Sequence, residues 1–320
     1  MSGDLRANLG TWPTPLEPLP RLATALGLGA DDLWIKRDDL SGIGGGGNKL
    51  RKLEWTCGAA RSEGATTLIT TGAPQSNHAR LTAAAGARLG FEVVLVLAGE
   101  PGASSSGNIA LDGLLGATIV WAGDKELPAR AEEVAEDLRA RGSVPAVIPF
   151  GGSSPLGAQG YVDCARELID QAPDLDTIVT ALGSGGTMAG LVAGLGTDRV
   201  LGVHCGAIHD PAVTVADLAS ELTGEPVAAA SLRVDLDQVG AGYSSLTDPV
   251  RSALTLTART EGIVLDPIYT GRAMAGLVAS VESGALRPGR RTVFLHSGGL
   301  PGFFGHPATV AWAQSHLSAD

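Results

Sequence analysis

The sequence predicts an α/β fold built on mostly parallel sheets with helices on both faces. Three observations predict it. From about residue 65 onward, apolar runs of strand length alternate with helical patterns, as in chains of strand–helix–strand units. The apolar runs are continuous and do not alternate with polar residues, which is expected of strands covered on both sides. The 45 glycines cluster in short runs between those stretches, which marks loops whose backbone lines a surface or a ligand.

The strands expected are Thr67–Thr71, Glu92–Leu97, Thr118–Trp121, Ala146–Phe150, Thr177–Ala181, Val200–Cys205 and Thr292–His296. Helices are expected between them at Ser76–Leu89, Asn108–Leu115, Leu127–Arg141, Leu156–Gln171, Thr187–Ala193 and Pro211–Leu222. The four strands within 56–155, with their helices, can close as a small α/β domain, and Gly-Gly-Ser-Ser-Pro at 151–155 reads as a hinge. Residues 1–55 and 156–320 would then form a larger domain, with a ligand cleft between the two at the carboxyl ends of strands.

Composition narrows the function. The chain has 320 residues, 44% hydrophobic and 18% charged, which suits an ordinary globule with a sizeable core. A formal charge of −11 repels phosphate backbones, so no nucleic-acid partner is expected. No run approaches the ~20 apolar residues of a membrane span, and the N-terminus lacks the apolar core of a secretory leader. Cys57, Cys164 and Cys205 lie far apart without metal-ligand spacing; they point to a reducing cytoplasm, with no disulfide framework and no metal site. His204, His209, His306 and His316 show no ligand spacing either.

Three motifs carry chemistry. In LWIKRDDLSGIGGGGNKLRKLEW, four glycines, Gly44 to Gly47, precede Asn48, Lys49 and a helical pattern. Such a loop lets backbone approach a ligand closely. A lysine at the following helix start, in a desolvated cleft, has its ammonium form disfavoured, which aids Schiff-base chemistry. Lys36 and Lys52 compete for that role, and the i+3 spacing does not exclude Lys52. In TTGAPQSNHARLTAAAGARLG, a strand ends and a small-residue helix begins near Ser76. Ser76 and Asn77 suit a cap, but Gln75, Ser76, Asn77 and His78 together exceed what a cap needs, and helix-start amides can hold a carboxylate. In TIVTALGSGGTMAGL, an apolar strand runs into Gly183, Ser184, Gly185, Gly186 and Thr187. Amides and hydroxyls there can wrap a phosphate with a helix dipole behind it. No lysine follows and the dinucleotide pattern is missing, so a small phosphate monoester fits better. Two weaker signals come late: Tyr269 and Thr270 in IVLDPIYTGRAMAGL, and His296, Ser297 and two glycines in VFLHSGGLPGFFGH.

In their order, GGNKLRKLE, QSNH, GSGGT, DPIYTGRAM and HSGG resemble the D-cysteine desulfhydrase and 1-aminocyclopropane-1-carboxylate deaminase family, fold-type II enzymes dependent on pyridoxal 5′-phosphate (PLP). The likeness spans nearly the whole chain. It implies the two-domain fold of the tryptophan synthase β type. It implies that Lys49, rather than Lys52, is the Schiff-base lysine. It implies that Asn77 bonds the cofactor's ring hydroxyl and that Gly183, Ser184, Gly185, Gly186 and Thr187 form the phosphate cup. Gln75, Ser76 and His78 match the loop where the substrate carboxylate docks. Tyr269 matches a tyrosine near the reacting carbon, and Thr270 the residue facing the pyridine nitrogen. Tyr243 sits where the family has a second active-site tyrosine, though without its usual glycine and proline neighbours, and Ser297 replaces a common threonine.

The cyclopropane deaminases carry a glutamate where Thr270 stands. A hydroxyl suits a neutral pyridine, a weaker electron sink that still serves the loss of a good β leaving group. The expected activity is therefore β-elimination from a small amino acid, with D-cysteine giving pyruvate, sulfide and ammonia and freed Lys49 as general base. Cyclopropane ring opening, sulfite elimination from cysteate, and PLP or amino-acid binding without turnover are the alternatives. A homodimer is expected, with no partner beyond the amino-acid substrate.

Overall fold

The computed structural model describes residues 5–102 and 104–317. The chain opens with β1 (Leu16–Pro18), α1 (Pro20–Ala25) and β2 (Leu33–Lys36). The glycine loop and α2 (Lys49–Ser62) follow, so the expected division at residue 55 falls inside an unbroken helix. The alternating stretch then gives β3 (Thr67–Gly72), α3 (Asn77–Leu89), β4 (Glu92–Leu97), α4 (Asn108–Leu114), β5 (Thr118–Trp121), α5 (Leu127–Ala140) and β6 (Pro145–Val147). These strands form one parallel sheet in the order β5-β4-β3-β6.

After a short linker come α6 (Pro155–Gln171), β7 (Leu175–Leu182), α7 (Gly186–Leu195), β8 (Val200–His204), α8 (Pro211–Thr223), β9 (Arg233–Asp235), α9 (Asp248–Glu261), α10 (Thr270–Glu282) and β10 (Arg291–Leu295). The chain closes with α11 (Leu300–Phe304) and α12 (Pro307–Gln314). The second sheet has the order β1-β2-β10-β7-β8-β9 and is parallel except for β1. It is drawn from both sides of the 67–147 stretch, so the chain leaves this sheet, builds the other, and returns.

Continuous apolar strands cover both faces of each sheet because successive side chains point to opposite sides. On the larger sheet, Val179, Val203 and Phe294 pack with α1, α9 and α10, while Ile178, Val293 and Leu295 pack with α6, α7 and α8. On the smaller sheet, Leu68, Val93 and Leu95 pack with α2 and α3, and Ile69, Val94 and Val96 with α5.

The strand expected at Ala146–Phe150 stops at Val147. Pro149 has no amide to offer a ladder, and Phe150–Gly152 coils into a 3-10 turn with Gly151 and Gly152 at φ of 64° and 65°. This glycine turn is the linker between the two sheets.

Candidate active site

One cavity gathers the motifs. It lies where the carboxyl ends of β3, β6, β7, β8 and β10 meet the start of α2, the position that open parallel sheets leave for ligands.

Lys49 is the first residue of α2 and borders the cavity. Its amine donates to Gly151 O at 3.2 Å. Burial pushes its pKa down to about 8, because the interior disfavours the ammonium form. Lys52, one helical turn on, also borders the cavity. It is 1% exposed, donates to Ser153 Oγ at 3.0 Å and Gly151 O at 3.3 Å, and is held well below the usual lysine range, by burial first and by Lys49 second.

The GSGGT turn passes from β7 into α7. Gly185, at φ 92°, caps the helix without a side chain; an added Cβ there would lie 3.1 Å from Thr214 Cγ2. The amides of Thr187 and Met188 precede the first intrahelical bond, Ala189 N to Gly185 O, and so point outward from the helix start. Thr187 Oγ1 accepts from Asn48 Nδ2 at 3.0 Å, which leaves its own proton for a ligand. Ser184 Oγ contacts Ser153 Oγ at 2.8 Å, and Ser153 Oγ accepts from Gly186 N at 3.1 Å. Gly186 thus stands one layer behind the cavity wall, while Gly183, Ser184, Gly185 and Thr187 border it.

On the opposite wall, Ser76 caps α3, its hydroxyl accepting from Ala79 N at 3.1 Å. Ser76, Asn77 and His78 border the cavity, and the amides of Asn77 and His78 lie ahead of the first intrahelical bond. His78 is 2% exposed. Thr70 Oγ1 gives its one proton to Ile148 O, so His78 Nε2 must donate to Thr70 Oγ1, at 2.9 Å. Burial, and then Lys49 and Lys52, hold the imidazole well below its ordinary pKa. A neutral ring with its only N–H committed has no proton to give a carboxylate.

Tyr269 and Tyr243 border the cavity with their hydroxyls in contact. Burial pushes Tyr243 up to about 12 and Tyr269 well above its ordinary value, so both keep their protons. Arg272 fixes the Tyr243 loop: its Nη2 donates to Gly242 O, Tyr243 O and Ser245 O at 2.9–3.0 Å, and its Nη1 to Cys205 O at 2.6 Å. Ser297, just past β10, borders the cavity as well.

Besides Gly186, two expected residues lie outside the cavity wall. Gln75 bonds Ser104 Oγ, Ser106 O and the Asn108 amide at 2.6–2.9 Å. Thr270 is fully buried; its hydroxyl donates to Asp266 Oδ1 at 2.7 Å and accepts from Asp266 N at 2.8 Å. That proton is committed. Sequence reasoning missed Lys52 as a group beside the cup, Ser153 between them, and Arg272, although a lone arginine in the apolar run TGRAMAGL was a visible signal.

The site fits PLP on its own chemistry. An amide-and-hydroxyl cup at a helix start suits a phosphate monoester, and a desolvated amine faces the same cavity for carbonyl capture.

Comparison with known proteins agrees. Residues 7–298 match the family model described as pyridoxal-phosphate dependent enzyme. A Pyrococcus furiosus protein named "Putative 1-aminocyclopropane-1-carboxylate deaminase" is 39% identical, with 93% of each chain covered. A Pyrococcus horikoshii protein of the same name is 41% identical at the same coverage. A solved structure titled as an ACC deaminase homologue superposes with a TM-score of 0.87 at 38% identity, covering 96% of this chain and 95% of that one. A Rhizomucor miehei L-serine ammonia-lyase shares the fold, with a TM-score of 0.66 at 19% identity and coverage of 97% and 99%.

Proposed function

From the premise that this chain belongs to the pyridoxal-phosphate dependent enzymes and has their type II fold, we propose that it is a lyase that eliminates a β substituent from a small amino acid, with D-cysteine the favoured substrate. One observation carries the reading. Among the described residues that border the cavity there is no aspartate or glutamate. Asp266, the carboxylate beside Thr270, is 2% exposed and already accepts from the amides of Ile268, Tyr269 and Thr270 and the Thr270 hydroxyl.

In this reading Ser184, Thr187, the α7 amides and Lys52 hold the phosphate of PLP. Asn77 serves the ring hydroxyl, and Ser297, which borders the cavity just past β10, serves the pyridine nitrogen. Bound PLP supplies an electron sink for the pair left when the α-proton departs. The substrate carboxylate rests on Ser76 and the Asn77 and His78 amides. Lys49 Nζ, with a pKa of about 8, takes the α-proton near neutral pH. Two tyrosine hydroxyls in contact hold two protons, one between them and one free to meet the departing sulfur. D-cysteine and water then yield pyruvate, sulfide and ammonia. Opening the cyclopropane breaks a carbon–carbon bond with a carbanion as leaving group, poorer than thiolate, and calls for a protonated ring, which a carboxylate partner sustains and a serine does not.

Ring opening of 1-aminocyclopropane-1-carboxylate is the second reading, favoured by the names of relatives at about 40% identity. Incubating the PLP-loaded enzyme with D-cysteine, L-cysteine, cysteate and the cyclopropane amino acid, and assaying keto acid, separates them. Pyruvate with equimolar sulfide from D-cysteine is the expected result. Faster turnover of the cyclopropane substrate than of every β-substituted one would overturn the elimination reading.

A further inference from the structure

The amide of Asn77 is a two-ended group. It serves a ring oxygen only if its Nδ2 end, the donor, faces the cavity. The structure contains a device that decides which end faces in. Asn108, the first residue of α4, is fully buried. Its Nδ2 donates to the backbone oxygen of Gln75 at 2.9 Å and to Asn77 Oδ1 at 3.0 Å.

The backbone oxygen of Gln75 can only accept, so the Asn108 atom facing it must be the amide nitrogen. The same nitrogen meets Asn77, so the Asn77 atom there must be the acceptor Oδ1. Nδ2 of Asn77 is then the end left for the cavity that Asn77 borders. Gln75 is fixed in turn by two partners of unambiguous sense: the Asn108 amide donates to its Oε1 at 2.9 Å, and its Nε2 donates to Ser106 O at 2.7 Å. Gly107 and Gly305 crowd the same spot, since a Cβ on either would fall 2.5 Å or less from Gln75 Oε1. Among the described residues Asn108 Oδ1 meets no partner, so only the nitrogen end of this side chain is in use.

We infer that Asn108 is a positioning residue that holds the Asn77 amide with its N–H2 toward the cofactor's ring oxygen. The inference rests on Asn77 serving that oxygen, as proposed above. It gives Gln75 a role too: it anchors Asn108 and touches neither substrate nor cofactor.

Asn108→Asp replaces the orienting donor by an acceptor of the same shape. Asn77 then turns its nitrogen toward the carboxylate and its oxygen toward the cavity. Loss of one hydrogen bond to a charged acceptor should raise the PLP dissociation constant about ten- to hundredfold. A donor to the ring oxygen favours its deprotonated form, so the pH titration of the bound cofactor's visible absorbance, recorded without substrate, should move to higher pH by about one unit or more. A purely structural role for Asn108 would not move that titration. Asn77→Asp should give the same two changes, and the double variant should be no worse than Asn77→Asp alone, because residues acting through one contact are not additive. If Asn108→Asp does not fold, Asn108→Ala carries the test, with a smaller shift that vanishes in the Asn77→Asp background. A shift with Asn77→Asp but none with either folded Asn108 variant, or effects that multiply in the double variant, would overturn the inference and leave Asn77 in place. No shift with Asn77→Asp would overturn the role of Asn77 itself and the inference with it.

Discussion

Capture of PLP by the apoprotein reads the state of Lys49 directly. Only a neutral amine attacks a carbonyl, and the burial that lowers the Lys49 pKa to about 8 raises its neutral fraction. At pH 7 about 9% of such amines are neutral, against about 0.03% at the ordinary value of 10.5, a gain of about 300-fold. The perturbation is pH, from 6 to 10. The assay is the initial rate of borohydride-fixed adduct on apoprotein, divided by the rate constant per neutral molecule of a small reference amine under the same conditions, which removes the titration of free PLP alone. The rate should rise tenfold per unit below pH 8 and flatten above it. Lys49→Ala should abolish the adduct, and peptide mapping should place it on residue 49. Lys52 is the informative competitor, because burial also holds its amine well below the usual lysine range. Its contacts separate it from Lys49: Ser153 Oγ, which touches Lys52, also takes the amide of Gly186 in the proposed phosphate cup. A phosphate there favours a charged Lys52 and removes it as a nucleophile. A rate still climbing tenfold per unit beyond pH 9.5, or an adduct on Lys52, would refute the reasoning.

Thr187→Ala removes a hydroxyl from the cup and, at roughly 1.5–3 kcal/mol per charged-acceptor bond, should raise the PLP dissociation constant about ten- to hundredfold in an absorbance titration. Ser297→Asp puts a carboxylate on the cavity wall; the ratio of 2-oxobutyrate formed from the cyclopropane amino acid to pyruvate formed from D-cysteine should rise, and an unchanged ratio would count against Ser297 as the ring-nitrogen partner. Burial pushes the Asp112 carboxyl up to about 7, above an unfolded value near 3.9, so its contribution to stability is lost as pH rises from about 4 to about 7. Asp112→Asn should therefore melt above wild type at pH 8, by an amount worth at most about 4 kcal/mol, with the gap closing by pH 4.

Much of this was legible because strands buried on both faces write long apolar words. Glu92–Leu97 and Thr118–Trp121 were read to the residue, and Thr67–Gly72 to within one. What escaped was short or amphipathic. The strands β1 and β9 span three residues each, too few for any period to show. Helix α9, DPVRSALTLTARTE, buries only Val250, Ala253, Leu254 and Thr257, and threonine and arginine between them mask its stripe. The site was legible as motifs, since glycine runs and polar clusters at strand ends have few other uses. It was not legible as layers. Nothing in the spacing tells that Gln75 points away from the cavity while its neighbour Ser76 borders it, or that Asn108, 31 residues from Asn77, orients it. Those relations depend on a contact between α3 and α4 that local patterning does not encode.

The residue at 270 shows how far a side chain's surroundings in the fold can lie from what its place in a motif implies. By the family resemblance, a threonine in place of a glutamate implies a hydroxyl at the pyridine nitrogen. In the fold, Thr270 completes a closed ring with Asp266: the threonine hydroxyl and three successive amides all donate to that carboxylate, and the Asp266 amide returns a bond to the hydroxyl. The ring shapes the start of α10 and sets Tyr269 at the cavity edge. Neither member is available to a ligand. The proposed weak sink requires only that no carboxylate reach the cavity, and none of the described lining residues supplies one. A glutamate at 270 would lose the bond that the hydroxyl now makes to Asp266 and would bring two like charges into a buried space, which costs stability unless one is protonated. Converting this site to ring opening by Thr270→Glu alone should therefore give a protein less stable than wild type before it gives a better deaminase, whereas Ser297→Asp tests the electron sink without breaking that ring.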